Sequence, residues 1–331
     1  MPPPSSLPSV DLVTPCRNRV ASLQGSLPSW LAQPLIRRIL VVDFNSTEPI
    51  ATALGPDLDP RVSVLRVDNE PLWRQGRAQN VGLQASDADL ILKLDADIAV
   101  VDLSPYVEAM AADPALFLRG RSQQGSSSGL CLVPRLVARQ IGGYHDHMAG
   151  WGGDDVDFYR RLERTGLRSH TVAPQHFVEV PQRMAIKNTE TPRLDSDWLP
   201  PHSELVRQPR FSAFRNGLLA RLQPQRRHSA LRWRRANGLA TLKNGNRLRL
   251  QVARANTELA NILALHTYPS GQSHWQVLRQ PQVQELIASY RLPLPKQRAD
   301  RRALQETWPA KMAALRQLAQ TLQVDLLMPP E

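Results

Sequence analysis

Short apolar segments alternate with segments of helical periodicity along the first hundred residues of the chain. Four apolar runs predict strands, at residues 9–15, 37–43, 61–67 and 90–98. Two segments with apolar positions at helical spacing separate them, at residues 20–33 and 76–86. Strands that alternate with helices are typical of βαβ units. The pattern therefore predicts an α/β fold, with a mostly parallel sheet flanked by helices.

The patterning continues less regularly after residue 100. We expect helices at 104–113, 134–141 and 154–165, an edge strand at 129–134 and a last strand within 170–180. Beyond about residue 190 the chain becomes mainly helical, with helices predicted at 203–237, 253–265, 282–290 and 298–322. A hairpin is expected over 239–252, with Asn244-Gly245 as its turn. We predict three regions: a disordered lead at 1–8, an α/β domain at 9–185, and a basic, mainly helical region at 186–331.

Charge is distributed unevenly between these regions. Residues 1–180 hold 17 Lys and Arg against 20 Asp and Glu, whereas residues 181–331 hold 24 against 10, within a net charge of +11. A basic half favours an anionic partner, such as a phosphorylated acceptor, an anionic membrane surface or nucleic acid, although a solvated Arg-rich surface explains it equally well. Two unpaired cysteines and the absence of a signal-like start or a long apolar run predict a cytoplasmic protein, with the periphery of a membrane as an alternative.

Two carboxylates end the predicted strand at 90–98, whose sequence is LILKLDADI. Asp95 and Asp97 follow an apolar run that is interrupted only by Lys93. Ligands of α/β sheets bind at the carboxyl ends of the strands, and buried carboxylates need a compensating cation. A divalent metal ion that carries a diphosphate satisfies both conditions, but a turn-capping or solvent-facing role is the simpler alternative for an isolated Asp-x-Asp.

A second acidic cluster opens the predicted helix at 154–165, in the sequence GWGGDDVDFYRRL. Gly152 and Gly153 allow the backbone to approach a ligand closely. Asp154 suits the helix cap, and Asp157 can pair with Arg161 one turn later as a surface ion pair. Asp155 is left as a candidate general base. A well-capped acidic helix start is the structural alternative.

Four motifs occur in the order typical of GT-A glycosyltransferases: LVTPCRNR, VVDFNST, RAQNVGLQASDADLILKLDADI and GWGGDDVDFYRRL. Together they resemble glycosyltransferase family 2, including its galactosyltransferase-like members, and the last resembles the corresponding motif of animal β-1,4-galactosyltransferases. The resemblance covers roughly residues 9–185. It implies a GT-A, Rossmann-like fold for this part of the chain.

The resemblance also implies roles for single residues. The donor nucleotide-sugar would be bound by Thr14, Pro15, Arg17, Asp43, Arg77, Asn80, Asp95 and Trp151. Of these, Asp43 would face a uracil-type base, and Trp151 would form an apolar wall for a sugar. Asp97 would bind the metal directly, with Asp95 on the metal or ribose and His176 as a third ligand, for which His170 is the alternative. Asp154 would hold acceptor hydroxyls, and Asp155 would be the base.

The implied reaction is inverting transfer of a sugar, from a donor of the UDP-sugar type to an acceptor hydroxyl, with Mn²⁺ or Mg²⁺ as cofactor. The acceptor would be a glycan, a lipid-linked sugar or a small molecule. Val156 stands where some galactosyltransferase relatives carry another acid, which weakens any inference about the sugar.

Three other functions compete with this interpretation. A nucleotidyltransferase would need a Gly-rich phosphate loop, which TPCRNR lacks. A nucleic-acid binder would explain the basic half, but no nucleic-acid-binding motif is present. The remaining alternative is a catalytically silent nucleotide- or carbohydrate-binding protein whose basic half binds an anionic partner.

Overall fold

A computed structural model of the chain describes residues 7–70, 73–120, 129–180, 209–223, 232–236, 239–243, 247–267, 274–290 and 298–321. Most of the predicted lead, 1–8, and of the polar segment 120–129 lies outside these residues. Within them, one mixed sheet of nine strands has the order β10-β11-β3-β2-β1-β4-β7-β6-β8. A separate pair, β5 and β9, lies beside it.

Four parallel strands form the centre of the sheet and confirm the predicted βαβ pattern. They are β1 (Val10–Cys16), β2 (Ile36–Phe44), β3 (Val62–Val67) and β4 (Leu90–Lys93). The remaining strands are β5 (Ile98–Val100), β6 (Leu116–Arg119), β7 (Cys131–Pro134), β8 (Arg168–Thr171), β9 (Phe177–Glu179), β10 (Arg232–Ala236) and β11 (Leu239–Lys243). Because β4 is a central strand, the acidic turn that follows it starts from a rigid position.

Helices cover both faces of the sheet, as the apolar strands require. In the first 180 residues they are α1 (Val20–Leu31), α2 (Ile50–Leu54), α3 (Gln75–Ala85), α4 (Ser104–Ala112), α5 (Arg135–Gln140) and α6 (Asp154–Glu163). Trp30 of α1 and Met110 of α4 belong to the core on one face. Val81 of α3 and Phe158 of α6 belong to the core on the other face.

The C-terminal region forms a third core made of helices. These are α7 (Pro209–Leu222), α8 (Arg247–Thr267), α9 (His274–Val277), α10 (Pro281–Tyr290) and α11 (Arg298–Thr321). Their buried apolar side chains include Phe214, Leu263, Ile287 and Leu315. Among the helices in the described part of the chain, none has the length and apolar character needed to cross a membrane.

The structure corrects three predicted elements. The strand predicted at the sheet edge, now β7, lies inside the sheet between β4 and β6. The predicted hairpin has the wrong boundaries: β10 and β11 pair across 232–243, and residues from Arg247 onward are helical. The helix predicted over 203–237 covers 209–222 instead. The hairpin continues the main sheet, because Leu239 and Ala240 pair with Arg66 and Val67 of β3.

Close packing of α3 on β1 gives a first prediction. A Cβ atom added to Gly82 would lie 2.2 Å from Cγ1 of Val13. Alanine normally stabilises a helix relative to glycine, but here it overpacks the core, so Gly82→Ala should lower the free energy of unfolding by about 1–3 kcal/mol. Urea denaturation measures this change. Gln24→Ala, at an exposed position of α1, is the control, and its free energy of unfolding should stay within about 0.5 kcal/mol of that of the parent protein. A Gly82→Ala variant as stable as the parent protein would contradict the close packing of α3 on β1.

Candidate active site

The acidic turn after β4 holds two carboxylates, each paired with a protein cation. Asp97 is buried, and its Oδ2 accepts a hydrogen bond from Nη2 of Arg19 at 2.7 Å. Asp95 is partly exposed, and its Oδ1 lies 2.8 Å from Nε2 of Gln75 and 3.4 Å from Nζ of Lys93. The site therefore balances its negative charge with cations from two neighbouring strands or their loops.

Lys93 also reaches the second acidic cluster. Its Nζ lies 3.3 Å from Oδ1 of Asp155, at the start of α6. The two acidic motifs, which are well separated in sequence, thus meet at one lysine. This contact places the candidate base beside the candidate metal carboxylate.

A glycine-rich loop sets the start of α6. Gly152 and Gly153 have φ angles of 82° and 91°, values that side chains other than glycine rarely adopt. Gly153 is the residue that caps the helix, and Asp154 is its first residue, without the predicted side-chain cap. Asp157 does pair with Arg161 as predicted, at 2.8 Å, but the pair is buried rather than on the surface. Because Arg161 also donates to the carbonyl oxygens of Ile141 and Gly143, it holds the preceding loop.

Burial changes the acidity of the two aspartates at the helix start. Burial raises the pKa of Asp155 to about 8, and the nearby charges of Asp154 and Asp95 act in the same direction, while the ammonium of Lys93 opposes them. Burial likewise raises the pKa of Asp154, again against the charge of Lys93. A carboxylate whose pKa lies near the working pH is suited to general-base chemistry.

Helix α7, from the C-terminal region, supports the same loop from behind. Nδ2 of Asn216 donates to the carbonyl oxygens of Ala149, at 3.2 Å, and Gly152, at 2.7 Å. A Cβ on Gly153 would lie 2.8 Å from Cβ of Asn216, so the helix and the loop are in direct contact. The C-terminal region therefore helps to shape the loop that carries Asp154 and Asp155.

Asp43, predicted to face a nucleotide base, is fully buried in the structure. Its oxygens accept hydrogen bonds from the backbone N–H groups of Ser46 and Ile50, and Nη1 of Arg66 lies 2.8 Å away. These contacts give Asp43 a structural role in the loop after β2. Its contact with a base stays a prediction.

Arg77 and Asn80, both predicted to line the donor site, are buried and hold the loop before α6 instead. Asn80 donates to the carbonyl oxygen of Tyr144 at 2.9 Å and to Oδ1 of Asp146 at 2.7 Å, and it accepts from the Tyr144 N–H. Arg77 pairs with Glu70 and donates to the carbonyl oxygen of Asp146. Because Arg77 and Asn80 form their hydrogen bonds with other residues of the protein, they position the loop that precedes α6.

The other predicted donor residues lie at the carboxyl end of β1 and in the glycine-rich loop. Thr14 and Pro15 are buried in β1. Arg17 follows β1 and donates to the carbonyl oxygen of Glu70. Trp151 is 65% exposed, an unusual position for a large aromatic side chain and one that suits a sugar-stacking surface.

The structure does not bring His176 to the two carboxylates of the acidic turn. Along the β5–β9 pair, Asp97 faces Val180, whereas His176 faces Val101 at the opposite end. Nδ1 of His176 lies 3.0 Å from the hydroxyl of Tyr106. The alternative, His170, is exposed on the outer strand β8. The predicted third metal ligand is therefore wrong for both histidines in this geometry.

The remaining donor set still suits a divalent metal. Within the described residues, no three His, Cys, Asp or Glu side chains lie close enough to hold a metal ion. Mg²⁺-type sites commonly use only one or two carboxylates together with substrate phosphates. Asp97 and Asp95 offer such hard oxygen ligands, with Arg19 as a cation beside them.

Three residues of this site were not among the predicted ones: Lys93, Arg19 and Asn216. A lysine within an otherwise apolar strand is the sequence signal for Lys93, because a buried ammonium needs an anionic partner. Arg19 lies in the same loop motif as Arg17. Nothing in the sequence of α7 marks Asn216.

Two sequence-family models match this part of the chain. Residues 11–139 match the model described as glycosyl transferase family 2, and residues 118–188 match the model described as the N-terminal domain of galactosyltransferase. No curated protein matches the chain significantly.

Solved structures of glycosyltransferases resemble the chain at low identity. GalNAc-T7 with UDP, GalNAc and Mn²⁺ is 16% identical with a TM-score of 0.42, over 51% of this chain and 43% of that chain. The mannosyltransferase PcManGT from Pyrobaculum calidifontis, in complex with GDP-Man and Mn²⁺, is 16% identical with a TM-score of 0.47, over 98% and 89%. The catalytic domain of Drosophila β1,4-galactosyltransferase 7, in complex with xylobiose, is 16% identical with a TM-score of 0.46, over 71% and 94%. This chain thus spans less than half of GalNAc-T7.

The parallel centre of the sheet, the acidic turn after β4 and the two family matches together make residues 11–188 similar to glycosyltransferases of the GT-A type. The match to family 2 contains β4 and the acidic turn, and the match to the galactosyltransferase domain contains the glycine-rich loop and α6.

The contact between Asn216 and the glycine-rich loop gives a second prediction. Asn216→Ala removes both hydrogen bonds to the loop and leaves buried carbonyl groups without that donor, so the free energy of unfolding should fall by about 1–3 kcal/mol. Thermal or urea unfolding measures this loss. Ser289→Ala removes only an exposed hydroxyl contact with the Glu285 carbonyl and should change stability by less than about 0.5 kcal/mol. Equal stability of the two variants would contradict the supporting role of α7.

Proposed function

We propose that this chain transfers a sugar from a nucleotide-sugar donor of the UDP type to an acceptor hydroxyl, with inversion and with a divalent metal ion. The main observation in support of the proposal is that the two acidic motifs lie close together. Asp155 at the start of α6 lies 3.3 Å from Nζ of Lys93, which in turn lies 3.4 Å from Oδ1 of Asp95. A base and a metal-motif carboxylate in such proximity suit a reaction between two bound substrates.

On the donor side, Asp97 and Asp95 would hold Mn²⁺ or Mg²⁺. When bound, such an ion supplies charge neutralisation of the leaving nucleotide diphosphate. Arg19 and Arg17 follow β1 and are well placed in the fold to add positive charge for the same phosphates. Thr14 and Pro15, at the end of that strand, would lie along the nucleotide.

On the acceptor side, Asp155 accepts the proton of the attacking hydroxyl. Trp151 offers an exposed aromatic face on which an acceptor or donor sugar can stack, and Asp154 would orient acceptor hydroxyls. A carboxylate base activates the hydroxyl for direct attack on the anomeric carbon from the face opposite the nucleotide. One displacement of this kind inverts the configuration at that carbon.

The acceptor would be a glycan, a lipid-linked sugar or a small molecule. The excess of Lys and Arg in residues 181–331 favours an anionic acceptor or an anionic membrane surface over a neutral one. We propose a cytoplasmic location, with the basic half as the part that would contact such a surface.

Two substitutions separate donor binding from transfer. Asp97→Ala removes the predicted direct metal ligand and should abolish Mn²⁺-dependent binding of the donor. Asp155→Asn keeps the size of the side chain but removes the base, so donor binding should persist while transfer falls by about 10²–10⁴-fold. Calorimetry with UDP-sugars and GDP-mannose, with and without Mn²⁺, measures binding, and release of the nucleoside diphosphate measures turnover.

Asp113→Asn provides the control for loss of a carboxylate, because Asp113 forms an exposed pair with Arg168. Its donor binding and turnover should match those of the parent protein. Full turnover by Asp155→Asn would remove Asp155 as the base. Failure of the folded parent protein to bind any donor would contradict the proposed function and favour a silent protein whose basic half binds an anionic partner.

The raised pKa of Asp155 predicts the pH dependence of turnover. Since the ionised form is the base and burial raises its pKa to about 8, kcat/KM should fall as the pH drops below about 8 and level off above it. Rates of UDP release between pH 5 and pH 10, at saturating Mn²⁺, give the profile. A profile that is flat down to about pH 5 would show that Asp155 titrates as an ordinary, solvent-exposed carboxyl group.

A further inference from the structure

Lys93 occupies a position where a lysine is costly. It ends β4, pairs with Val13 of β1 and with Cys131 of β7, and is 2% exposed. Alternation along the strand puts its side chain on the same face as Ile91, within the core formed by α3 and α6. A buried ammonium is retained only if anions compensate its lost hydration.

Two carboxylates with different tasks provide that compensation. Asp155 belongs to the acceptor side and Asp95 to the donor side, and Nζ of Lys93 lies within 3.4 Å of an oxygen of each. Asp155 is 22% exposed at its side chain and Asp95 35%, so each carboxylate also reaches the open site. Lys93 is thus the common partner of both halves of the site.

The backbone around Gly129 covers this contact closely. A Cβ atom at Gly129 would lie 2.8 Å from Nζ of Lys93 and 2.8 Å from Oδ2 of Asp95. Only a residue without a side chain lets the chain pass over the pair without moving it. The backbone at Gly129 therefore leaves no room for a side chain beside the ammonium.

We propose that Lys93 is a positioning residue that holds Asp155 and Asp95 in one fixed arrangement and so couples the base to the metal motif. This inference rests on the proposed function. Without the ammonium, three carboxylates at 95, 154 and 155 would repel one another at the edge of a buried core, and Asp155 would turn away from the acceptor or take up a proton. The lysine acts through Asp155 and does not itself touch the reacting atoms.

The test compares Lys93→Met, Lys93→Arg and Lys93→Cys with the parent protein. The probe is UDP-galactose with Mn²⁺, and water is the acceptor. If the parent protein binds another UDP-sugar or GDP-mannose instead, that donor replaces UDP-galactose. Lys93→Met should lower kcat for UDP release by about 10²-fold, the scale of a misplaced general base, while the donor Kd changes less than about threefold. Lys311→Met, at an exposed position of α11, is the matched control and should leave both values unchanged.

Chemical rescue separates the charge from the packing. Alkylation of Lys93→Cys with 2-bromoethylamine rebuilds an ammonium of nearly the length of lysine, and it should restore kcat at least tenfold. The parent protein, treated in parallel, controls for alkylation of Cys16 and Cys131, which are both buried. Because position 93 is buried as well, mass spectrometry must first show that the thiol there has been alkylated. Lys93→Arg, whose guanidinium carries the charge but differs in shape, should fall between Lys93→Met and the parent.

Three results would overturn the inference: a folded Lys93→Met variant with kcat within threefold of the parent, an equal loss in kcat and donor affinity, or complete alkylation at position 93 without rescue. If Lys93→Met fails to fold, Gly129→Ala decides, because it pushes on the ammonium without removing it. It should lower kcat, and a parent-like kcat would contradict the inference; the donor Kd is not diagnostic for this variant, because the added Cβ also meets Oδ2 of Asp95. A parent protein without donor binding or UDP release would instead overturn the proposed function itself.

Discussion

Compensation of negative charge at the carboxyl edge of the sheet is the constraint on which this structure depends. Four carboxylates gather there because the end of the central strand β4 and the start of helix α6 meet at the same place: Asp95, Asp97, Asp154 and Asp155. Lys93 and Arg19 provide the opposing charges, from within β4 and from the loop after β1. Although burial alone lowers the pKa of Lys93, the three nearby carboxylates raise it above its ordinary value, so the lysine stays charged. The acidic edge can therefore exist inside a folded protein before any substrate arrives.

The loop that carries the base is held from three sides. Asn80 of α3 fixes Tyr144 and Asp146, Arg161 of α6 fixes the carbonyl groups of the preceding turn, and Asn216 of α7 fixes Gly152. Because α7 comes from the C-terminal region, that region is part of the site's architecture. The same region also extends the main sheet through β11.

The sequence predicted the elements with strong local patterns and the residues that end them. Strands β1 to β4 and helices α1 and α3 follow directly from apolar periodicity, and the acidic positions follow from the strand ends. Sheet order depends on contacts between distant segments, so the interior position of β7 could not be read from its own residues. Two Asn-Gly pairs compete as hairpin turns, at 237–238 and 244–245, and local turn preference does not choose between them.

The same difference between local sequence signals and long-range contacts applies to the site residues. The resemblance implied separate roles for Asp155 and for the acidic turn, and the structure adds that Asp155 and Asp95 share Lys93 as a partner. Asn80, Arg77 and Asp43 were expected to face the donor, but each meets partners from distant loops that only the folded chain brings near. The placement of His176 beside Tyr106 has the same cause, since the β5–β9 pairing sets its distance from Asp97.

The most direct test of this account is a crystal structure of the protein with UDP and Mn²⁺, in which anomalous scattering locates the metal. The account predicts Mn²⁺ bonded directly to Asp97, Arg19 displaced from that carboxylate towards the diphosphate, and Lys93 still between Asp155 and Asp95. A metal bound away from the acidic turn, or an Arg19–Asp97 pair that stays closed with UDP bound, would contradict it.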